Sequence, residues 1–126
     1  MIEVLPVNNR EDIEEYIKIN NLTIPEPSLA MLVLDNGERA GIGALSLIDY
    51  KCVLTCVHTD ESLQLMLGKS LLNMADLRGI KQVYCYDESL SDISEKLRFQ
   101  KQAENGKTYF VLNLEGYFDA GCQHCN

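Results

Sequence analysis

Between Cys52 and Phe99 the hydrophobic period changes repeatedly, and no other feature restricts the fold of this chain as much. Cys52 to Val57 is a short apolar run suited to a strand. Leu67, Leu71, Met74 and Ala75 then fall at i, i+4, i+7 and i+8, the spacing of one helical face. This pattern predicts a helix opening around Gly68-Lys69-Ser70-Leu71-Leu72, with Gly79 placed for a C-terminal cap. Lys81 to Tyr86 returns to strand, and Ser89 with Asp92 is expected to cap a second helix with Leu90, Ile93 and Leu97 inward. A helix joining neighbouring strands acts as a crossover, so the two strands must run parallel. A strand-to-helix junction also presents free backbone amides to an anionic ligand.

The flanking segments supply antiparallel strands. Residues 2–7 read as a short strand, and Asn9 with Asp12 resembles a capping pair before a helix bearing Ile13, Tyr16 and Ile17. Pro25 and Pro27 stop that helix. Leu29 to Leu34 and Ala40 to Ile48 are joined by Asn36-Gly37, a hairpin signal because both positions tolerate positive φ. Gly41 and Gly43 mark a bulge or a close backbone approach. Asn105-Gly106 makes another turn before a last strand, Thr108 to Leu114. The order is β-α-β-β-β-α-β-α-β, which implies a mixed α/β (α+β) sheet with helices on both faces, in one domain over 1–126.

A net charge of −8 excludes a basic surface for nucleic acid or anionic membrane. No apolar run approaches the roughly 20 residues that span a bilayer. Met1-Ile2-Glu3-Val4 lacks the basic and apolar regions of a signal peptide, so a cytoplasmic location is expected. Five cysteines then read as thiols or metal ligands rather than a disulfide framework.

The element order and the Gly-Lys-Ser-Leu-Leu segment resemble the GCN5-related N-acetyltransferase (GNAT) superfamily, over nearly the whole chain in topology and over residues 52–99 in motif. The resemblance implies a fourth strand splayed from the fifth, a gap for the pantetheine arm of acetyl-CoA, and a loop of amides around its diphosphate. The family's Gln/Arg-x-x-Gly-x-Gly/Ala pattern, aligned on Gly68, falls on Leu63 and Met66 at its other positions. Carried over residue by residue, it implies that Val57, Met66, Leu67, Gly68, Lys69, Ser70 and Asp87 hold the cofactor. A backbone amide near Val57 would polarise the thioester carbonyl. Ser94 stands where the family often has a tyrosine that protonates the leaving thiolate, and Arg98 where it has glycine. Asp60 or Glu61 could take the proton of an attacking small-molecule amine. The family's closing hairpin is curtailed here or completed by a second subunit, which leaves Thr108 to Leu114 as an edge for a homodimer.

Each residue also has a plainer reading. Gly68-Lys69-Ser70 is an ordinary helix start, and Asp60 and Glu61 favour the positive end of the next helix. Tyr84 and Tyr86 share one face of their strand, as substitute acids or as packing. With Leu63, Met66 and Ser94 departing from the pattern, a non-catalytic ligand-binding or interaction module of the same fold stands beside the enzyme. A third reading uses the cysteines. Cys122-Gln123-His124-Cys125 in the 119–126 tail is half of a metal motif, and Cys52, Cys56 and His58 share strand parity with Cys85 on the next strand. No metal site is assigned.

Overall fold

The computed structural model describes residues 1–118. Strand β1 (Ile2–Pro6) leads to helix α1 (Arg10–Ile19), then to the meander β2 (Leu29–Asp35), β3 (Glu38–Ile48) and β4 (Lys51–Thr59). Helix α2 (Glu61–Leu77), strand β5 (Gln82–Cys85), a 3-10 turn (Glu88–Leu90) and helix α3 (Ser91–Lys96) follow. A hairpin of β6 (Gln100–Glu104) and β7 (Lys107–Asn113) completes the order. The strands form one seven-stranded sheet, β1-β2-β3-β4-β5-β7-β6, and among the described residues its only parallel neighbours are β4 and β5. None of the helices among the described residues is long and apolar enough to cross a membrane.

Local chemistry fixes the element ends. Asn9 caps α1, its side-chain oxygen accepting from the Glu11 amide at 2.9 Å. Gly79 takes φ +81° just past α2, and Asn36-Gly37 takes φ 52° and 86° at the hairpin. The helices divide between the faces. Leu67, Leu71, Leu72 and Ala75 of α2 are fully buried with Leu90, Ile93 and Leu97 around α3, against one face. Tyr16 of α1 packs on the other face with Ile42, Ala44 and Cys56. Gly43 lets α2 sit close: a Cβ there would meet Leu71 Cδ1 at 2.6 Å.

Four expectations need correction. First, α2 opens at Glu61, not around Gly68, because nothing between Asp60 and Leu67 breaks a helix. The connection from β4 is Asp60 alone, so the predicted amide loop has become helix.

Second, Gln100–Glu104 is a strand that apolar patterning could not reveal, since all five residues are exposed. It forms because the Asn105-Gly106 turn folds it onto β7. Thr108 to Leu114 is therefore no edge: β7 is paired by β5 on one side and β6 on the other, and the closing hairpin is completed within this chain.

Third, Cys52 and Cys56 do not share a face. Ala44 pairs with Cys56 and Leu45 with Leu54, so Thr55 is an extra residue that inverts the side-chain alternation. Cys52 and Cys85 pack against the α2 core, whereas Cys56 belongs to the α1 cluster. Among the described residues, His, Cys, Asp and Glu form no group able to hold a metal, and Cys122-Gln123-His124-Cys125 lies outside them.

Fourth, the turn before α3 is capped by Asp87 rather than Ser89. Its carboxylate accepts from the Ser89 amide at 2.9 Å and the Ser89 hydroxyl at 2.7 Å.

Candidate functional site

The sheet opens at one place. Strands β4 and β5 pair only through Cys52 with Val83 and Val53 with Tyr84. Beyond that, β5 continues against β7, and β4 runs on to Thr59 without a partner on its β5 side among the described residues. The unpaired edge of β4 includes Val57, whose amide was expected to face the thioester carbonyl. The Thr55 bulge lies within the same stretch, adding local twist that turns β4 away.

The α2 side of this seam is closed by packing. Val57, Leu67, Gly68 and Leu97 are buried together, and a Cβ on Gly68 would meet Leu97 Cδ1 at 2.7 Å. Gly68 therefore seats α3 against α2, in the second turn of the helix. Leu67 points into the core with it. The other proposed cofactor residues are brought together, but on the outer face of α2. Met66, Lys69 and Ser70 line a shallow groove of about 610 Å³ with Ser62 and Asn73. The Ser70 hydroxyl donates to the Met66 carbonyl at 2.9 Å.

At the start of α2 the amides of Glu61 and Ser62 have no intrahelical partner, while the Leu63 amide bonds to the Asp60 carbonyl at 2.8 Å. Asp60 makes no side-chain cap bond. Glu61 points to solvent, with Lys96 Nζ 4.0 Å away. The helix end suits an anion, but two carboxylates stand at it. Ser62 and Lys69 line the groove on the outer face of α2, and the carboxylates of Asp60 and Glu61 oppose an anion at the helix start.

Ser94 is fully buried, and its hydroxyl has no well-aligned hydrogen-bond partner among the described residues. Its polar neighbour is the Cys85 thiol. Burial raises the Cys85 thiol pKa, and the nearby Ser94 hydroxyl and Asp87 backbone offset part of that rise. Asp87, spent on its cap, lines a polar groove of about 350 Å³ at the β5 end with Cys85, Ser91, Glu95 and Thr108. Tyr84 and Tyr86 stack with parallel rings 6.1 Å apart, beside Tyr109, on the sheet face away from α2.

The most organised polar cluster was not foreseen. Tyr16 on α1 and His58 on β4 meet on the α1 face of the sheet, Oη to Nδ1 at 2.9 Å, with the rings edge to face. Tyr16 is buried and His58 exposed, at a groove of about 490 Å³ with Asn20, Arg39, Thr59 and Asp60. Arg39 is bound to Asp12 at 3.0 Å and Glu15 at 3.2 Å, so its charge is compensated. Burial, then the charge of a Cys56 thiolate, pushes the Tyr16 phenol pKa up, so the hydroxyl keeps its proton. Burial likewise pushes Cys56 up to about 11. In the sequence, His58 read only as a metal ligand and Tyr16 only as a core residue. No local pattern joins positions 42 residues apart.

No protein-family model matches the sequence, and no curated protein matches it. Solved structures do match in shape. A protein described as an acetyltransferase from Exiguobacterium sp. 255-15 superposes with TM-score 0.71 at 11% identity, over 95% of this chain and 98% of that one. An N-acetyltransferase from Staphylococcus aureus Mu50 gives 0.69 at 12% identity, over 91% and 99% of the two chains. N-acetylglutamate synthase from Neisseria gonorrhoeae, complexed with coenzyme A and L-arginine, gives 0.69 at 14% identity, over 89% of this chain and 33% of that longer one. The chain has the GNAT acyltransferase fold.

Proposed function

We propose that this protein takes an acyl-CoA, acetyl-CoA in the first instance, into the open end of the β4–β5 seam and transfers the acyl group to a small-molecule amine. The observation that carries the proposal is the seam itself. An unpaired strand edge inside a sheet leaves backbone donors and acceptors unmet, which a flat, hydrogen-bonding pantetheine arm can satisfy. Transfer in such a slot needs no covalent enzyme intermediate. The gain comes from holding the thioester beside the amine and from an amide, Val57 being the candidate, aimed at the carbonyl oxygen. Ser62 and Lys69, which line one groove on the outer face of α2, would meet the phosphates.

The test is calorimetric titration with acetyl-CoA, followed by chromatographic measurement of coenzyme A release across a panel of amines. Saturable binding and amine-dependent release are expected. Failure to bind would end the proposal.

A second reading, the same fold as a non-catalytic ligand-binding module, is favoured by two observations. Ser94 is fully buried, and Asp60 and Glu61 put two carboxylates at the start of α2, against an anionic diphosphate there. Binding without release of coenzyme A by any amine would decide for it.

A further inference from the structure

We infer that His58 is the general base that deprotonates the acceptor amine, held in place by Tyr16, and that the acceptor enters through the groove on the α1 face. This rests on the acyltransferase reading. It moves the base away from Glu61, which points into solvent, and leaves Asp60 another task.

Three features support it. The seam is closed beneath α2 by Val57, Leu67 and Leu97, so a second substrate has free approach on the opposite face, where the Tyr16–His58 groove lies. His58 follows Val57 directly, on the stretch of β4 that has lost its β5 partner. The proposed carbonyl-polarising amide and the imidazole are thus consecutive along one strand. Finally, the imidazole is anchored at one nitrogen only. Tyr16 Oη meets Nδ1 at 2.9 Å, while Nε2 has no partner among the described residues. The role requires the tautomer in which Nδ1–H donates to the Tyr16 oxygen and Nε2 presents a lone pair to the groove. Tyr16, itself buried in the α1 cluster, fixes the ring as a positioning residue.

The remaining groups define the acceptor. Arg39 is neutralised by Asp12 and Glu15, and Asp60 makes no side-chain hydrogen bond, so the groove favours a cation. A primary alkylammonium fits. Its ammonium proton passes to Nε2 and on to solvent. The neutral nitrogen attacks the thioester carbon, the C–N bond forms as the C–S bond breaks, and the second nitrogen proton goes to the departing thiolate.

The test uses the full chain with acetyl-CoA and 1,4-diaminobutane as probe, product being measured by mass spectrometry. His58→Gln is expected to lower kcat about 100-fold or more, within the usual range for loss of a general base, with KM for acetyl-CoA unchanged. In His58→Ala, added imidazole should restore turnover, a rescue that a merely structural histidine would not show. Tyr16→Phe should lower kcat about tenfold without changing KM for acetyl-CoA, as expected when a ring loses its anchor rather than its base. Normal kcat in His58→Gln, with the wild type active, would overturn the assignment alone. No product from the wild type with 1,4-diaminobutane, when another amine is acetylated, would overturn the acceptor assignment, and no product with any amine of the panel would overturn the acyltransferase reading and this role with it.

Discussion

The two sides of the far end of β4 are built from different materials. Toward α2, the strand meets fully buried Leu67 and Leu71, a glycine that admits Leu97, and no polar group with a free hydrogen-bonding direction except the sealed Ser94. Toward α1, it meets a phenol, an imidazole, an amide, the compensated Arg39 and the carboxylate of Asp60 around an open groove. One side holds the sheet and the other can do chemistry. The sequence motif that suggested a cofactor site, Gly68-Lys69-Ser70, falls largely on the structural side.

Substitutions on the two sides should therefore separate stability from activity. Leu71→Ala is expected to lower unfolding free energy by about 2–5 kcal/mol, since it leaves a cavity between α2 and β3. His58→Gln should cost under about 1 kcal/mol, as an exposed change that keeps an amide near Tyr16. Urea unfolding of both would show it, and similar losses would erase the contrast.

Gly68→Ala comes next. The added methyl gains about 1 kcal/mol of helix propensity but drives into buried Leu97, for a net loss of about 1–2 kcal/mol. A gain in stability would mean that Leu97 yields and that the α2–α3 contact is looser than drawn.

The thiols sharpen the comparison in another way, because burial pushes both Cys52, on the α2 side, and Cys56, on the α1 side, up to about 11. Ordinary thiols ionise near 9.0, so the folded chain holds protons that the unfolded chain has released between those values. Unfolding then releases protons, and stability must fall as pH rises from about 9 to about 11. Urea midpoints at pH 8 and pH 10 check the sign, and a flat profile would show that β4 is open to water on both faces at these thiols.

The smallest effect is expected at Ser94→Ala. Removing an unpaired buried hydroxyl from a helix should leave stability unchanged or raise it by up to about 1 kcal/mol, with kcat intact. A large loss of kcat would return Ser94 to the reaction and undo the division of roles argued above.

Much of the fold was legible because periodicity is local. The capping Asn9, the Asn36-Gly37 hairpin, the spacing of Leu67, Leu71 and Ala75, and Gly79 past the helix end each act over a few residues and each appears as expected. The β6 strand escaped because Gln100–Glu104 is polar on both faces and owes its conformation to the neighbour it pairs with. The start of α2 escaped because a loop expected from a family pattern was placed where seven residues have no reason not to be helical.

The candidate site divides in the same way. Sequence alone determined that β4 and β5 run parallel around a crossover helix, since the alternation of periods leaves no other connection. Only the tertiary structure decided which groups gather at the strand ends. A single extra residue, Thr55, inverts the faces of everything after it, setting His58 over Tyr16 and parting Cys52 from Cys56. Side-chain alternation is exact at a period of two, so one unpaired residue reverses it, and the chain carries no local mark of where that residue falls.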